Sequence, residues 1–153
     1  MKHTFVGIFI WKNRAYLPRT AFFIESGIGV ETDPVYTSDL NVKSLSVVIE
    51  KVRAVGNPQL PDPETRTEIK KYKGTIMKAT KAGNWKKLAK NGATYDISWD
   101  DKQVRIDMSC LDERGRFIND PNKVTILPPN TPLKKIVGII LKDIKTRPEL
   151  EIS

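Results

Sequence analysis

Cysteine and histidine are nearly absent. One of each, Cys110 and His3, stands among 153 residues. A lone cysteine excludes an intrachain disulfide and fits a reducing compartment, so the cytoplasm is the expected location. With a single histidine the usual zinc clusters cannot be assembled, and a serine or cysteine nucleophile has almost no imidazole to call on as base. Long apolar runs are also missing. The longest stretch, Ile136-Val137-Gly138-Ile139-Ile140-Leu141, falls far short of the roughly 20 residues that cross a bilayer. The start, Met1-Lys2-His3 followed by Thr4 to Ile10, imitates a signal peptide, but Trp11-Lys12-Asn13-Arg14 stands where small residues would mark cleavage. It reads as a first strand. Glycine-rich phosphate loops are lacking too: Gly27 and Gly29 have no third glycine and precede no helix, so no nucleotide cofactor is expected.

At 39% hydrophobic and 29% charged, the chain is ordered rather than disordered and is sized for one domain, residues 1–153. Its charge is concentrated. Between Arg66 and Lys90 stand nine basic residues against one acid, Glu68, so this stretch alone accounts for the net charge of +8, and the remainder is neutral. Such a local field speeds association with anionic partners and is screened by salt over about 8–10 Å. A solvated lysine-rich linker would have the same composition and serve solubility alone.

Thr4 to Lys12 and Tyr16 to Glu25 are rich in β-branched and aromatic residues, with a hairpin turn at Lys12-Asn13-Arg14. A weaker strand, Val30 to Thr37, is interrupted by Asp33-Pro34. From the N-cap Asn41, apolar residues fall at Val42, Leu45, Val48, Ile49, Val52 and Val55, and Gly56 stops the helix. Asn57 to Pro63 carries three prolines and predicts an extended connection. Glu64 to Lys81 predicts a helix broken or frayed at Gly74, and Asn84 caps a short helix from Trp85 to Lys90. Ala93 to Trp99 and Gln103 to Leu111 alternate around an Asp100-Asp101-Lys102 turn and form a second hairpin. Val124 to Leu127 predicts a further strand. Thr131-Pro132 then reads as the N-cap and first-turn proline of a closing helix bearing Leu133, Ile136, Val137, Ile140 and Ile144.

Both ends read strand, strand, strand, helix. A shift of 88 residues carries Trp11 onto Trp99, Gly27 onto Gly115, Leu45 onto Leu133 and Val52 onto Ile140. Identities are few, so the halves 4–56 and 93–148 match in pattern, joined by the basic segment 64–92, and two such units can rhyme without being a duplication. The fold class that follows is α+β: an antiparallel sheet with two amphipathic helices on one face, built as a candidate pseudo-duplicated βββα unit. The edge-like strands at Val30–Thr37 and Val124–Leu127 leave room for a homodimer.

Catalytic chemistry is poorly supplied. Asp96, Asp100, Asp101, Asp107, Asp112 and Glu113 cluster in sequence, and a magnesium-dependent nuclease could draw on Asp100-Asp101-Lys102 with Asp62 or Asp107. The pair sits in a turn, however, where acids are expected for turn chemistry alone. Cys110, alternating with Ile106 and Met108, reads as a buried structural thiol. The expectation is therefore no catalytic residue, no metal and no cofactor. In its place stands a small cytosolic binding protein, an inhibitor or immunity-type protein that masks an acidic protein partner through its lysines. Lys70, Lys71, Lys73, Lys86, Lys87 and Lys90 would steer the encounter, with Tyr72 and Trp85 as anchors; Trp99, at a strand end like Trp11, reads first as core or sheet-end packing and second as a further, exposed anchor. Nonspecific nucleic-acid binding is the alternative, since aromatics among lysines can stack bases. The near absence of arginine from the segment argues against base readout.

Overall fold

The computed structural model describes residues 3–152, the Lys73 side chain excepted. Three strands come first: β1 (Thr4–Trp11), β2 (Arg14–Phe23) and β3 (Gly29–Asp39). Helix α1 (Val42–Val55) follows, then the two-residue β4 (Gln59–Leu60) and three short helices, α2 (Arg66–Lys73), α3 (Thr75–Thr80) and α4 (Trp85–Asn91). The chain closes with β5 (Ala93–Trp99), β6 (Val104–Leu111), β7 (Phe117–Leu127), α5 (Leu133–Lys145) and a 3-10 turn at Pro148–Leu150. The α+β class holds. A single sheet runs β3-β2-β1-β5-β6-β7, antiparallel throughout that path, with β4 added in parallel to β2.

Shifted by 88 residues, β1, β2 and β3 land on 92–99, 102–111 and 117–127, within two residues of β5, β6 and β7. The two triplets meet where β1 pairs antiparallel with β5, from Thr4↔Trp99 to Ile10↔Ala93. Strands β3 and β7 are the two edges of the sheet.

Alternation along β1 assigns its two faces. Val6, Ile8 and Ile10 point to one side, where Leu45, Ile49 and Val52 of α1 and Ile136, Val137, Ile140 and Ile144 of α5 meet Tyr95, Ile97 and Ile106 in one core. Each such aliphatic side chain contributes about 1.5–3 kcal/mol by leaving water. Helix α1 forms as its pattern predicts: the Asn41 side chain accepts from the Ser44 N–H, and Gly56 at φ 80° ends it. On the opposite side of the sheet, Phe9 and Trp11 pack with Ile76, Ala82 and Leu88, which seats α3 and α4 there. Gly92 makes the close approach at the end of α4 feasible, because a Cβ there would lie 2.5 Å from the Leu88 carbonyl oxygen and 2.8 Å from that of Ile10.

Several expectations need correction. Asp33-Pro34 interrupts the β2–β3 pairing as a bulge, between Pro18↔Val35 and Arg19↔Thr32, while β3 continues on both sides, and β7 is eleven residues long, starting at Phe117 where only Val124 to Leu127 was expected as strand, with 120–123 bulged out of its pairing with β6. Both are edge strands, where a proline sacrifices no shared ladder bond. Thr131 is not the cap of α5: its hydroxyl donates to the Pro128 carbonyl, and Pro132 occupies the cap position without a side-chain bond. Trp99 packs at the sheet end, the first of its two readings, and the second, an exposed anchor, falls. It is 2% accessible, with the Arg53 guanidinium 4.1 Å above its ring, so it cannot anchor a partner. The connection after α1 is not merely extended, since β4 pairs with Phe22 and Phe23.

Candidate functional site

The β1–β2 ladder is in register only from Phe9↔Tyr16 to Trp11↔Arg14. Beyond it β2 turns to pair with β4, and Asn57 spans the opening. Its side-chain oxygen accepts from the Phe5 N–H at 2.8 Å, while its amide donates to the Phe5 and Thr20 carbonyls, both at 2.9 Å. These bonds satisfy strand groups that have lost their ladder partners, which an unpaired buried amide would make costly. They also set Phe5 against Phe22, edge to face at 5.7 Å.

The floor of a cleft is thereby defined, on the sheet face opposite α1 and α5. Its volume is about 880 Å³. Phe5, Gly7 and Phe9 of β1 lie along its base with Phe22 and Thr20 of β2, and Trp85 and Lys86 of α4 form one wall. The turn and strand from Arg114 to Asn119 form the other. Helices α3 and α4 cover only the Phe9–Trp11 end of this face, and the cleft is what they leave uncovered.

Its electrostatics are divided between base and rim. Asp96 on β5 is pushed up to about 6, first by burial, then by the charges of Asp107 and Glu31, against a hydrogen bond from Asn119. Glu31 is also raised, by burial, with a backbone hydrogen bond opposing. Asp107 is held by the Arg105 guanidinium through bonds of 3.0–3.2 Å. Among the described residues neither Asp96 nor Glu31 has an ion-pair partner. The rim is basic, with Lys86, Arg114 and Arg116, and Arg116 is committed to Asp112 at 2.9 Å.

Of the residues singled out from sequence, Trp85 and Lys86 reach the cleft. Trp85 is 41% exposed and lies 6.0 Å from the Phe9 ring. Lys87 and Lys90 sit on the same helix, exposed, Lys90 beside a smaller hollow of about 400 Å³ that also borders the half-buried Cys110. Lys70 and Lys71 are exposed on α2, and Tyr72 is half-buried with its ring edge-on to Phe23 at 5.9 Å. The Lys73 side chain lies outside the described residues. None of Lys70, Lys71, Lys86, Lys87 or Lys90 takes part in an ion pair among the described residues. Glu68, the sole acid of the segment, accepts instead from the Glu64 N–H at the start of α2, where Thr65 is the cap.

The carboxylates considered for metal chemistry are dispersed. Asp62 accepts from the Glu25 and Ser26 N–H groups, and Asp100 accepts from the Lys102 and Gln103 N–H groups in the β5–β6 turn. Among the described residues no group of three His, Cys, Asp or Glu side chains is arranged to hold a metal ion. Glu31, Phe5 and Phe22 were not foreseen as site residues, and Asp96 was named only within the acidic cluster weighed for metal chemistry. The signal for them was present: Thr4 to Trp11 lacks the alternation of a half-exposed strand, which requires cover on both faces. Gly7 between Phe5 and Phe9 marks a gap in that cover.

No family model matches the chain, no curated protein matches it, and no helix among the described residues is long and apolar enough to cross a membrane. Solved structures share its fold. A protein of unknown function from Neisseria meningitidis superposes with a TM-score of 0.67 at 13% identity, over 95% of this chain and 96% of that one. A chain of a CdiA-CT/CdiI toxin and immunity complex from Yersinia pseudotuberculosis superposes with a TM-score of 0.63 at 12% identity, over 92% and 95%. At these identities the likeness is one of fold.

Proposed function

We propose that this chain is a noncatalytic, cytoplasmic binding protein of the immunity type, which masks an acidic protein toxin by presenting its lysine-rich α2–α4 segment. The observation that carries the reading is the set of five exposed lysines on α2 and α4 that form no ion pair among the described residues. Such a surface speeds encounter with an acidic patch, and Trp85 beside it offers a partly exposed aromatic of the kind that anchors interfaces. The fold shared with a chain of a toxin and immunity complex supports the reading at the level of architecture.

Affinity capture from the native host at about 50 mM and about 500 mM salt, with and without nuclease, tests it. The expected partner survives nuclease, is weakened by salt, and is an intoxicating enzyme whose activity is lost on adding this chain in equal amount. Joint Lys70→Glu, Lys71→Glu, Lys86→Glu and Lys87→Glu substitution should slow association at least about 10-fold. Unchanged affinity in that variant would falsify the assigned surface. Recovery of nucleic acid alone, lost on nuclease treatment, would replace the reading with nucleic-acid binding.

A further inference from the structure

We infer that the cleft beside α4 is a receptor for a cationic side chain, an arginine of the protein partner, with its guanidinium between the aromatic base and the carboxylates of Asp96 and Glu31. The inference rests on the proposed masking of a protein, and it specifies what the open sheet face would take from that protein.

Charge complementarity chooses the occupant. Asp107 already has Arg105, whereas Asp96 and Glu31 face the cleft without a cation among the described residues. The rim cations Lys86, Arg114 and Arg116 do not supply one: Arg116 is bound to Asp112, Lys86 and Arg114 are exposed and form no ion pair with Asp96 or Glu31 among the described residues, and the charges that bear on Asp96 are those of Asp107 and Glu31, both negative. A guest with positive charge restores the balance, and a guest with negative charge meets two desolvated carboxylates. The walls then favour arginine over lysine. Phe5, Phe22, Phe9 and Trp85 offer ring faces and edges on which a planar guanidinium stacks, and its fork of N–H donors can serve more than one carboxylate oxygen. Gly7 keeps the approach to Asp96 open, since a Cβ there would stand 3.6 Å from Asp96 Oδ1. At about 880 Å³ the cleft admits the side chain together with the loop that carries it.

The masking partner need not be in hand for the test. N-acetyl-arginine methylamide is titrated into the intact protein while the backbone amides of Gly7 and Asp96 and the Trp85 indole N–H are followed by NMR. The neutral isostere N-acetyl-citrulline methylamide, N-acetyl-lysine methylamide and guanosine monophosphate run as parallel arms. The expected result is saturable millimolar binding of the arginine probe at pH 7.5, weaker binding of the lysine probe, and at least tenfold weaker binding of citrulline. Binding should fall as pH drops below about 6, when Asp96 takes up its proton. Asp96→Asn should weaken it at least tenfold, and Gly7→Leu should abolish it by filling the base, with the fold of each variant checked by its amide spectrum. Lys51→Glu, exposed on α1 across the sheet, should leave it unchanged. Equal binding of citrulline and arginine, indifference to Asp96→Asn, or no saturation by any probe would overturn the inference, and tight binding of guanosine monophosphate alone would turn the cleft into a nucleotide site. A captured toxin that loses affinity with the joint Lys70, Lys71, Lys86 and Lys87 variant but not with Asp96→Asn would leave the masking function standing and remove the cleft from it.

Discussion

The two faces of the sheet solve different problems with the same strands. On one face, α1 and α5 close a largely apolar core to which both halves of the chain contribute, and the charges that reach its edge, Asp143 with Arg147 at Tyr95 and Arg53 over Trp99, each have a partner there. On the other, α3 and α4 cover Phe9 and Trp11 and stop, so Phe5, Phe22 and Asp96 line a cleft. The first face repays the entropy of ordering the chain. The second carries a desolvated carboxylate that works against folding at neutral pH, which is the expected direction of a trade between stability and binding.

Breaking the apolar face should have the largest effect. Ile97→Ala, at a position with no exposure, should cost about 2–5 kcal/mol in denaturant unfolding with an unchanged m-value. Next comes the polar clamp at the end of α5. Asp143 accepts from Tyr95 at 2.6 Å, Lys123 at 2.9 Å and Arg147 at 2.8 Å, while Arg147 also donates to the Ser109 carbonyl at 2.7 Å. Burial works against the Asp143 charge, but the hydrogen bonds from Tyr95, Lys123 and Arg147 outweigh it and hold the carboxyl below its ordinary range. Asp143→Ala leaves the mostly buried Arg147 guanidinium with only the Ser109 carbonyl and a 3.7 Å contact to Glu149, and should cost about 2–4 kcal/mol at pH 7. Because the folded-state value is depressed, that contribution is present above the unfolded-state value of 3.8 and is lost as pH falls below it.

On the open face the sign reverses. Asp96 is raised from 3.8 to about 6, so its ionisation in the folded state opposes folding above pH 6 and has no effect below both values. Asp96→Asn should therefore raise stability by about 2 kcal/mol at pH 8, with the gain shrinking between pH 6 and 4 and gone below that, as read from paired melting curves. A variant less stable than the parent at pH 8 would contradict the account of the cleft. Smallest of all, Lys70→Glu with Lys71→Glu should move stability by less than about 0.5 kcal/mol, since both side chains are exposed and form no ion pair among the described residues, while changing association with an anionic partner strongly.

Much of the architecture was readable along the chain because it is written in local chemistry. The α1 helix has its Asn41 cap and Gly56 stop beside each other in sequence with the apolar spacing between them, and α4 has Asn84. The strands of the second hairpin alternate cleanly because one side meets the core. Edge strands were harder. Asp33-Pro34 and Asp120-Pro121 do break the ladder, each at a register shift, yet each lies inside an eleven-residue strand, since a bulge in an edge strand disturbs one neighbour only and pairing resumes on its far side. The lysines of the candidate site were visible as a charge count, and Trp85 and Lys86 lie in the cleft wall. Trp99 carried two readings, sheet-end packing and exposed anchor, because a tryptophan at a strand end looks the same in sequence whether it meets water or, as here, the Arg53 guanidinium; the first holds.

The sequence by itself determined the class of fold, the bounds of most elements, the matching order of the two ends and the segment in which the net charge resides, because periodicity, caps and composition act over a few neighbouring residues. Only the tertiary structure decided that β1 and β5 lie side by side at the centre of the sheet, that Asn57 holds open the split between β1 and β2, and that Asp96, Glu31, Phe5 and Trp85 share one cleft. Those residues lie tens of positions apart, and the energy that unites them comes from strand pairing and burial across the whole sheet, which no local window contains.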